Sequence, residues 1–300
     1  MRILTAFGRG LPALAALVLT AGLAQAQEPP LTLKVITGDE ANLHADFTLV
    51  MGKQDALLVD APFTRAGAYR LVADILETGK TLKYVYITHS HPDHFFSLDV
   101  IADAFPDAQL ISAPAVVDDI WYTIPHKIKR WGPMLGANGP KHPVAPRPLD
   151  SDHFQLEGQD IQVLGPMTGD NDESTALYIP SLKALVAGDI VFNKIHLWLG
   201  ESTPEMRLAW LKAIDRLTAM KPEIVVAGHK LPGLSDGPEA LQFTHDYLIA
   251  FDAVAKTAKT SQEMIAEMRR RFPDTQDVLD NFILVNSAQV ATGEMPPWEE

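Results

Sequence analysis

The chain has 300 residues, no cysteine, and 38 acidic against 25 basic side chains, a formal net charge of −13. So acidic a chain argues against binding nucleic acid or anionic lipid through long-range attraction. With no cysteine there is no disulfide, and any bound metal must take histidine, aspartate or glutamate, a ligand set that suits zinc or another divalent ion.

Arg2 and Arg9 flank the start of an apolar run, Leu11 to Leu23, which is too short to span a bilayer comfortably, and "AQA" follows at Ala24 to Ala26. Residues 1–26 therefore read as a secretory signal peptide cleaved before Gln27, implying a periplasmic or secreted protein; an uncleaved anchor is the alternative. The remaining 274 residues carry −15, and no later stretch is apolar enough for a transmembrane helix. They are expected to form a single domain, 27–300, without stable membrane association.

Strands are expected at 31–36, 46–52 and 55–62, a helix at 65–80 ending in Gly79, and a strand at 82–88. A helix is expected over 94–106, stopped by Pro106, and a strand at 108–113. Six prolines then punctuate 115–150, with Trp121, Tyr122 and Trp131 interleaved; this reads as a helix followed by a long irregular loop, either a pocket wall or a surface excursion. Strands resume at 154–166, turning at Gly158, and at 174–192, turning near Pro180 and Ser181. A helix at 204–219, a strand at 223–228 and a mostly helical tail from about Glu239 complete the chain. Two successive β-rich halves closed by helices, meeting near residue 150, predict two sheets packed face to face with helices outside, an α/β fold.

The stretch "TLKYVYITHSHPDHFFSLDV", Thr81 to Val100, puts His89, His91, Asp93 and His94 directly after a strand. Alternation points His89 and His91 the same way, while Asp93 and His94 at the turn face a second point, so ligands for two adjacent ions are present. Asp189 in "VAGD" and His229 in "VAGH" also end strands, each after a glycine that allows a tight turn and a close approach. Asp60 ends the strand "ALLVD", where it can hold the histidine loop from behind.

"THSHPDH" resembles the His-x-His-x-Asp-His signature of the metallo-β-lactamase superfamily, and "ALLVDAP", "VAGD" and "VAGH" resemble that family's other motifs in the same order. The resemblance covers residues 31 to 235. It implies a four-layered αβ/βα sandwich of two mixed sheets, with the metal site at the edge between them. It further implies that His89 and His91 bind a first ion, that Asp93, His94 and His229 bind a second, and that Asp189 bridges both.

The pattern departs from the family at one ligand. The family supplies a further histidine to the first ion, in the stretch that here reads "LGPMTGDNDESTALYIP", Leu164 to Pro180. Its expected position holds Thr168, beside Met167. Asp170, Asp172 or Glu173 can compensate, Asp170 being nearest; otherwise the first site is weak or empty. The expectation is an exported hydrolase with one or two zinc-type ions, in which Asp93 orients a water to attack a small ester, lactone or related substrate. A β-lactamase and a metal-binding protein without turnover are the alternatives. The basic residues Lys127, Lys129, Arg130, Lys141 and Arg147 favour a substrate bearing a negative group; His196, seven residues after Asp189, reads first as an ordinary surface or core histidine, with a place in a loop folded back over the pocket as the alternative.

Overall fold

Residues 31–298 are described by a computed structural model. The expected signal peptide lies outside the described residues. β1 (Thr32–Thr37), β2 (Asp46–Met51) and β3 (Asp55–Val59) form an antiparallel meander, after which helix α1 (Arg65–Glu77) crosses over to β4 (Thr81–Tyr86), parallel to β3. Thr64 starts α1 because its hydroxyl accepts the Gly67 N–H at 3.0 Å, satisfying one of the helix's orphan donors. Helices α2 (Pro92–Phe95) and α3 (Leu98–Ala104) lead to β5 (Gln109–Ser112), and α4 (Pro114–Leu135) leads to the short β6 (Arg147–Pro148). These six strands make one sheet in sequence order.

The second sheet begins within five residues of the end of the first. β7 (His153–Leu156), β8 (Gln159–Met167), β9 (Ser174–Ile179) and β10 (Ala184–Val186) run antiparallel. After β11 (Phe192–Asn193) and α5 (Pro204–Ala219), β12 (Ile224–Val226) adds to the edge, parallel to β10. β13 (His229–Lys230) pairs with β11 in a separate two-stranded ribbon. Helices α6 (Glu239–Ala255), α7 (Ser261–Arg271) and α8 (Phe282–Ala291) close the chain.

Alternation along the strands builds the layers. On β3, Ala56 and Leu58 pack outward with Leu71 and Ile75 of α1, while Leu57 and Val59 point inward. Those inward residues meet Phe154, Ile161, Leu177 and Val186 from the other sheet. On β10, Leu185 faces Trp210 and Leu217 of α5. The result is the αβ/βα sandwich of two mixed sheets with helices on the outer faces.

Two expected helices differ. The single helix over 94–106 is broken between α2 and α3. The loop after β3 takes the hydrogen bonds an unbroken helix would use: Ala61 N–H donates to the His94 carbonyl (2.8 Å) and Ser97 N–H to the Pro62 carbonyl (3.0 Å). Conversely, α4 runs through Pro125 and Pro133, which were expected to interrupt it. Both prolines lie on its exposed side, where the carbonyls they leave unpaired can be hydrated, while Val116, Ile120 and Ile124 hold the other side to the first sheet.

Candidate metal centre

The site lies where both sheets end. Asp46 N–H donates to the Gly228 carbonyl (2.7 Å), and Ala45 forms a bridge with His229, so the first sheet is stitched to the β11–β13 ribbon. Across the sandwich, Thr175 N–H donates to the Thr88 carbonyl (2.9 Å). These bonds bring the loop after β4, the turn after β10 and the start of β13 to one point.

Asp60 organises the loop. It follows β3 with a left-handed φ of 63°, a conformation that aspartate tolerates better than most residues. Its Oδ1 accepts the Thr88 N–H (2.7 Å); its Oδ2 accepts the Thr88 hydroxyl (2.8 Å) and His94 Nδ1–H (2.9 Å). Because the Thr88 proton goes to Asp60, Thr88 Oγ1 is left to accept from His89 Nδ1–H at 3.0 Å. His229 Nδ1–H donates to the Leu43 carbonyl (2.8 Å), a group that can only accept. In all three rings Nδ1 therefore holds the hydrogen bond and Nε2 is turned to the site.

Those Nε2 atoms converge on carboxylates. Asp189 Oδ1 lies 3.1 Å from His94 Nε2, and its Oδ2 lies 3.1 Å from His229 Nε2 and 3.7 Å from His89 Nε2. Asp93 Oδ2 is 3.2 Å from His229 Nε2 and 3.8 Å from His94 Nε2. Two groups of potential ligand atoms result, one from His89, His91, Asp170 and Asp189, the other from Asp93, His94 and His229. Asp189 sits between them. The six residues singled out in the sequence are thus adjacent, and Asp60 touches His94 from behind.

Glycine makes that arrangement possible. A Cβ at Gly228 would lie 1.9 Å from Asp189 Oδ1, and one at Gly188, whose φ is 50°, would lie 2.7 Å from Thr88 Oγ1.

Thr168 does not enter the site; its hydroxyl instead donates to Asp172 Oδ1 at 3.1 Å. The fourth member of the first group is Asp170, fully buried, with Oδ2 2.7 Å from His91 Nδ1 and Oδ1 3.9 Å from His89 Nε2. Glu201, which gave no signal in the sequence, reaches within 3.5 Å of His91 Nε2 and accepts from Trp198 Nε1 at 2.7 Å.

The donor set fits a cation. His89 Nε2, Asp170 Oδ1 and Asp189 Oδ1 are buried without a hydrogen-bond partner, although His94 Nε2 lies 3.1 Å from the last, an arrangement costly for polar atoms. The cluster's carboxylates meanwhile pull positive charge onto His91, His94 and His229, whereas burial and the charge of His94 hold the His89 pKa well below the usual imidazole value. Burial opposes charge on His229, but Asp189 and Asp93 outweigh it and push its pKa up to about 10. His94 is raised in the same way, against burial, by Asp189, Asp93 and Asp60. Burial likewise opposes ionisation of Asp189, yet His229, His94 and His89 hold it well below the usual carboxylate range. Burial, reinforced by the charge of Asp189, pushes Asp170 well above that range. Bound cations would supply the positive charge that protons otherwise provide.

Beside the cluster opens a cavity of about 530 Å³ including its mouth. Asp93, Asp170, Asp189 and His229 form its polar floor, and Trp131, Trp198, Phe282 and Trp298 its apolar wall. Of the three interleaved aromatics, only Trp131 lines it; Trp121 and Tyr122 are exposed. None of the five basic residues expected to attract a negative group lines it. Lys127 is buried and donates to the Ser90 carbonyl (2.7 Å), and Arg130 stacks over the Trp298 ring at 4.0 Å. His196 does line it, which was the alternative reading of its position after Asp189.

The family model described as "Metallo-beta-lactamase superfamily" matches residues 43–229. Among solved structures, a metallo-beta-lactamase family protein from Thermus thermophilus aligns with TM-score 0.60 and 20% identity over 89% of this chain and 94% of its own. A metallo-beta-lactamase from Pontibacter korlensis aligns with TM-score 0.51 and 19% identity over 73% and 94%. These likenesses show the fold. A curated relative, the uncharacterized protein YobT of Bacillus subtilis (strain 168), is 34% identical over 64 residues, 21% of this chain and 27% of that protein's length.

Proposed function

This chain belongs to the metallo-beta-lactamase superfamily, and we propose that it is an exported metal-dependent hydrolase of small esters, lactones or related acyl compounds. The observation that carries this reading is the cluster of buried ligand atoms without a hydrogen-bond partner, His89 Nε2, Asp170 Oδ1 and Asp189 Oδ1, beside a largely apolar cavity that Asp170 and Asp189 line.

His89, His91, Asp170 and Asp189 would hold one divalent ion, and Asp93, His94 and His229 the other, with Asp189 shared; zinc suits both groups. Such ions supply Lewis acidity, making water a nucleophile near neutral pH and offsetting negative charge that develops on the attacked group. The chain's own residues do the rest. Asp60 and the Leu43 carbonyl fix the orientation of His94 and His229, so the ligand geometry is set before substrate arrives. Asp93 faces the cavity, where it orients the attacking water, takes its proton and returns it to the leaving group. The aromatic wall excludes water and receives an apolar acyl or leaving group. A β-lactam's carboxylate would meet no Lys or Arg in this lining, so lactam substrates rank behind neutral esters and lactones. The residues at 1–26 support export, and the charge of −13 disfavours nucleic-acid substrates.

The test is a panel of neutral aryl and alkyl esters, lactones and β-lactams given to the metal-loaded protein. Ester or lactone turnover that is abolished by chelation and by Asp93→Ala is expected. Bound metal with no turnover across the panel would instead support a binding protein.

A further inference from the structure

His196 and Tyr247 form a pair that the proposed hydrolysis has not used. His196 lines the cavity, but it belongs to neither group of ligand atoms. Its Nδ1 lies 2.8 Å from the Tyr247 hydroxyl. Tyr247 is completely buried among Phe243, Phe251 and Phe272, and among the described residues its hydroxyl has no other partner.

That isolation decides the tautomer. If His196 Nδ1 carried the proton, it would donate to the phenol oxygen and leave the phenol proton unpaired in an apolar interior, where an unmade hydrogen bond is costly. If the phenol donates to Nδ1, both atoms are satisfied, and the ring's proton must sit on Nε2. Burial, with Arg269 adding its charge, lowers the His196 pKa to about 4, so the ring is neutral at pH 7. The backbone is fixed as well: His196 N–H donates to the Gln276 carbonyl at 2.9 Å, beside the bridge between Ile195 and Gln276. His196 Nε2 has no hydrogen-bond partner among the described residues, and His196 lines the cavity.

We propose that Tyr247 positions His196 as a neutral Nε2–H donor that hydrogen-bonds an oxygen of an uncharged, apolar acyl substrate in this cavity. The proposal rests on the hydrolase reading and names the substrate class of the same site. In a lining without Lys or Arg, a neutral donor recognises a carbonyl or ester oxygen without demanding an anion, and the surrounding aromatic wall takes the hydrocarbon part. The donor costs little to keep in place because Tyr247 has already fixed the ring.

The test uses the metal-loaded mature protein labelled with nitrogen-15 in histidine, with 1-naphthylacetamide as a neutral, non-hydrolysed probe. Nitrogen–proton correlation spectra should show His196 neutral at pH 7 with its proton on Nε2. The probe should shift that signal, and Tyr247→Phe should convert the ring to a mixture of tautomers without changing metal content. His196→Phe should weaken probe binding roughly 3- to 10-fold, the worth of one hydrogen bond, and His196→Gln, which retains a donor, should recover part of it. A proton on Nδ1, a tautomer indifferent to Tyr247→Phe, or probe binding unchanged in His196→Phe would overturn the proposal. Failure to bind metal would instead overturn the hydrolase reading and leave the tautomer result standing on its own.

Discussion

Gly228→Ala should disable the metal centre through one carbon atom. The Cβ it adds would lie 1.9 Å from Asp189 Oδ1, 2.6 Å from the Gly188 carbonyl carbon and 2.7 Å from its oxygen. Ordinary contact begins near 3.4 Å, so Asp189 must retreat by about 1.5 Å or the Gly188 turn must open. The turn has little freedom, since Gly188 is in the left-handed region and packs on Thr88. Asp189 is therefore expected to move, losing its approaches of 3.1 Å to both His94 and His229. Ligand distances tolerate only about ±0.2 Å, so a shift of this size would remove the shared carboxylate from both proposed ion sites. Overpacking of this kind also costs about 1–3 kcal/mol of stability. Metal content by elemental analysis, with a thermal melt in chelator, separates the effects: metal should be lost in excess of the drop in Tm. A Gly228→Ala protein that keeps full metal content and an unchanged melt would refute the reasoning.

Asp60→Ala removes the acceptor that orients His94 and Thr88; metal affinity measured by chelator competition should fall about 10–100-fold although Asp60 is not itself in either ligand group. His196 sets a pH dependence whose sign follows from its lowered pKa. Between pH 6.5 and about 4 the unfolded chain binds a proton there that the folded chain refuses, so its contribution is complete above pH 6.5 and is lost as pH falls towards 4. The full loss is roughly 3 kcal/mol at about 1.4 kcal/mol per pH unit. His196→Gln should flatten the pH dependence of Tm in that window; equal slopes in both proteins would contradict the burial argument. Leu57→Ala in the core between the sheets should cost about 2–5 kcal/mol in denaturant unfolding, since Leu57 is fully buried there.

Much of the site was legible because its residues advertise themselves locally. Strand ends followed by His89, Asp189 and His229, and the acid at the end of β3, are visible as short patterns, and the alternation that buries Leu57 and Val59 is visible too. What escaped depends on distance or on compensation. At Thr168, where a histidine was expected, the sequence left Asp170, Asp172 and Glu173 open as replacements with Asp170 nearest, and only the fold shows that Asp170 joins His89, His91 and Asp189. Gly169 allows that turn: its N–H donates to the Asn171 carbonyl (2.8 Å), and it packs where a side chain would meet Ser174 Oγ at 2.8 Å and the Asp189 carbonyl oxygen at 2.9 Å. Glu201 reaches His91 across 110 residues, and Tyr247 reaches His196 across 51, contacts no local pattern can encode. Pro125 and Pro133 misled in the opposite direction, because the apolar side of α4 outweighed their local preference.

If Asp170 completes a first ion site beside the one formed by Asp93, His94 and His229, the chain holds two ions and loses one of them with that carboxylate. Metal stoichiometry of the mature protein, measured after zinc loading and dialysis, tests this most directly. Two ions per chain are expected in the wild type and one in Asp170→Ala, with the remaining ion lost in His229→Ala. A wild type that holds no ion, or an Asp170→Ala protein that still holds two, would contradict it.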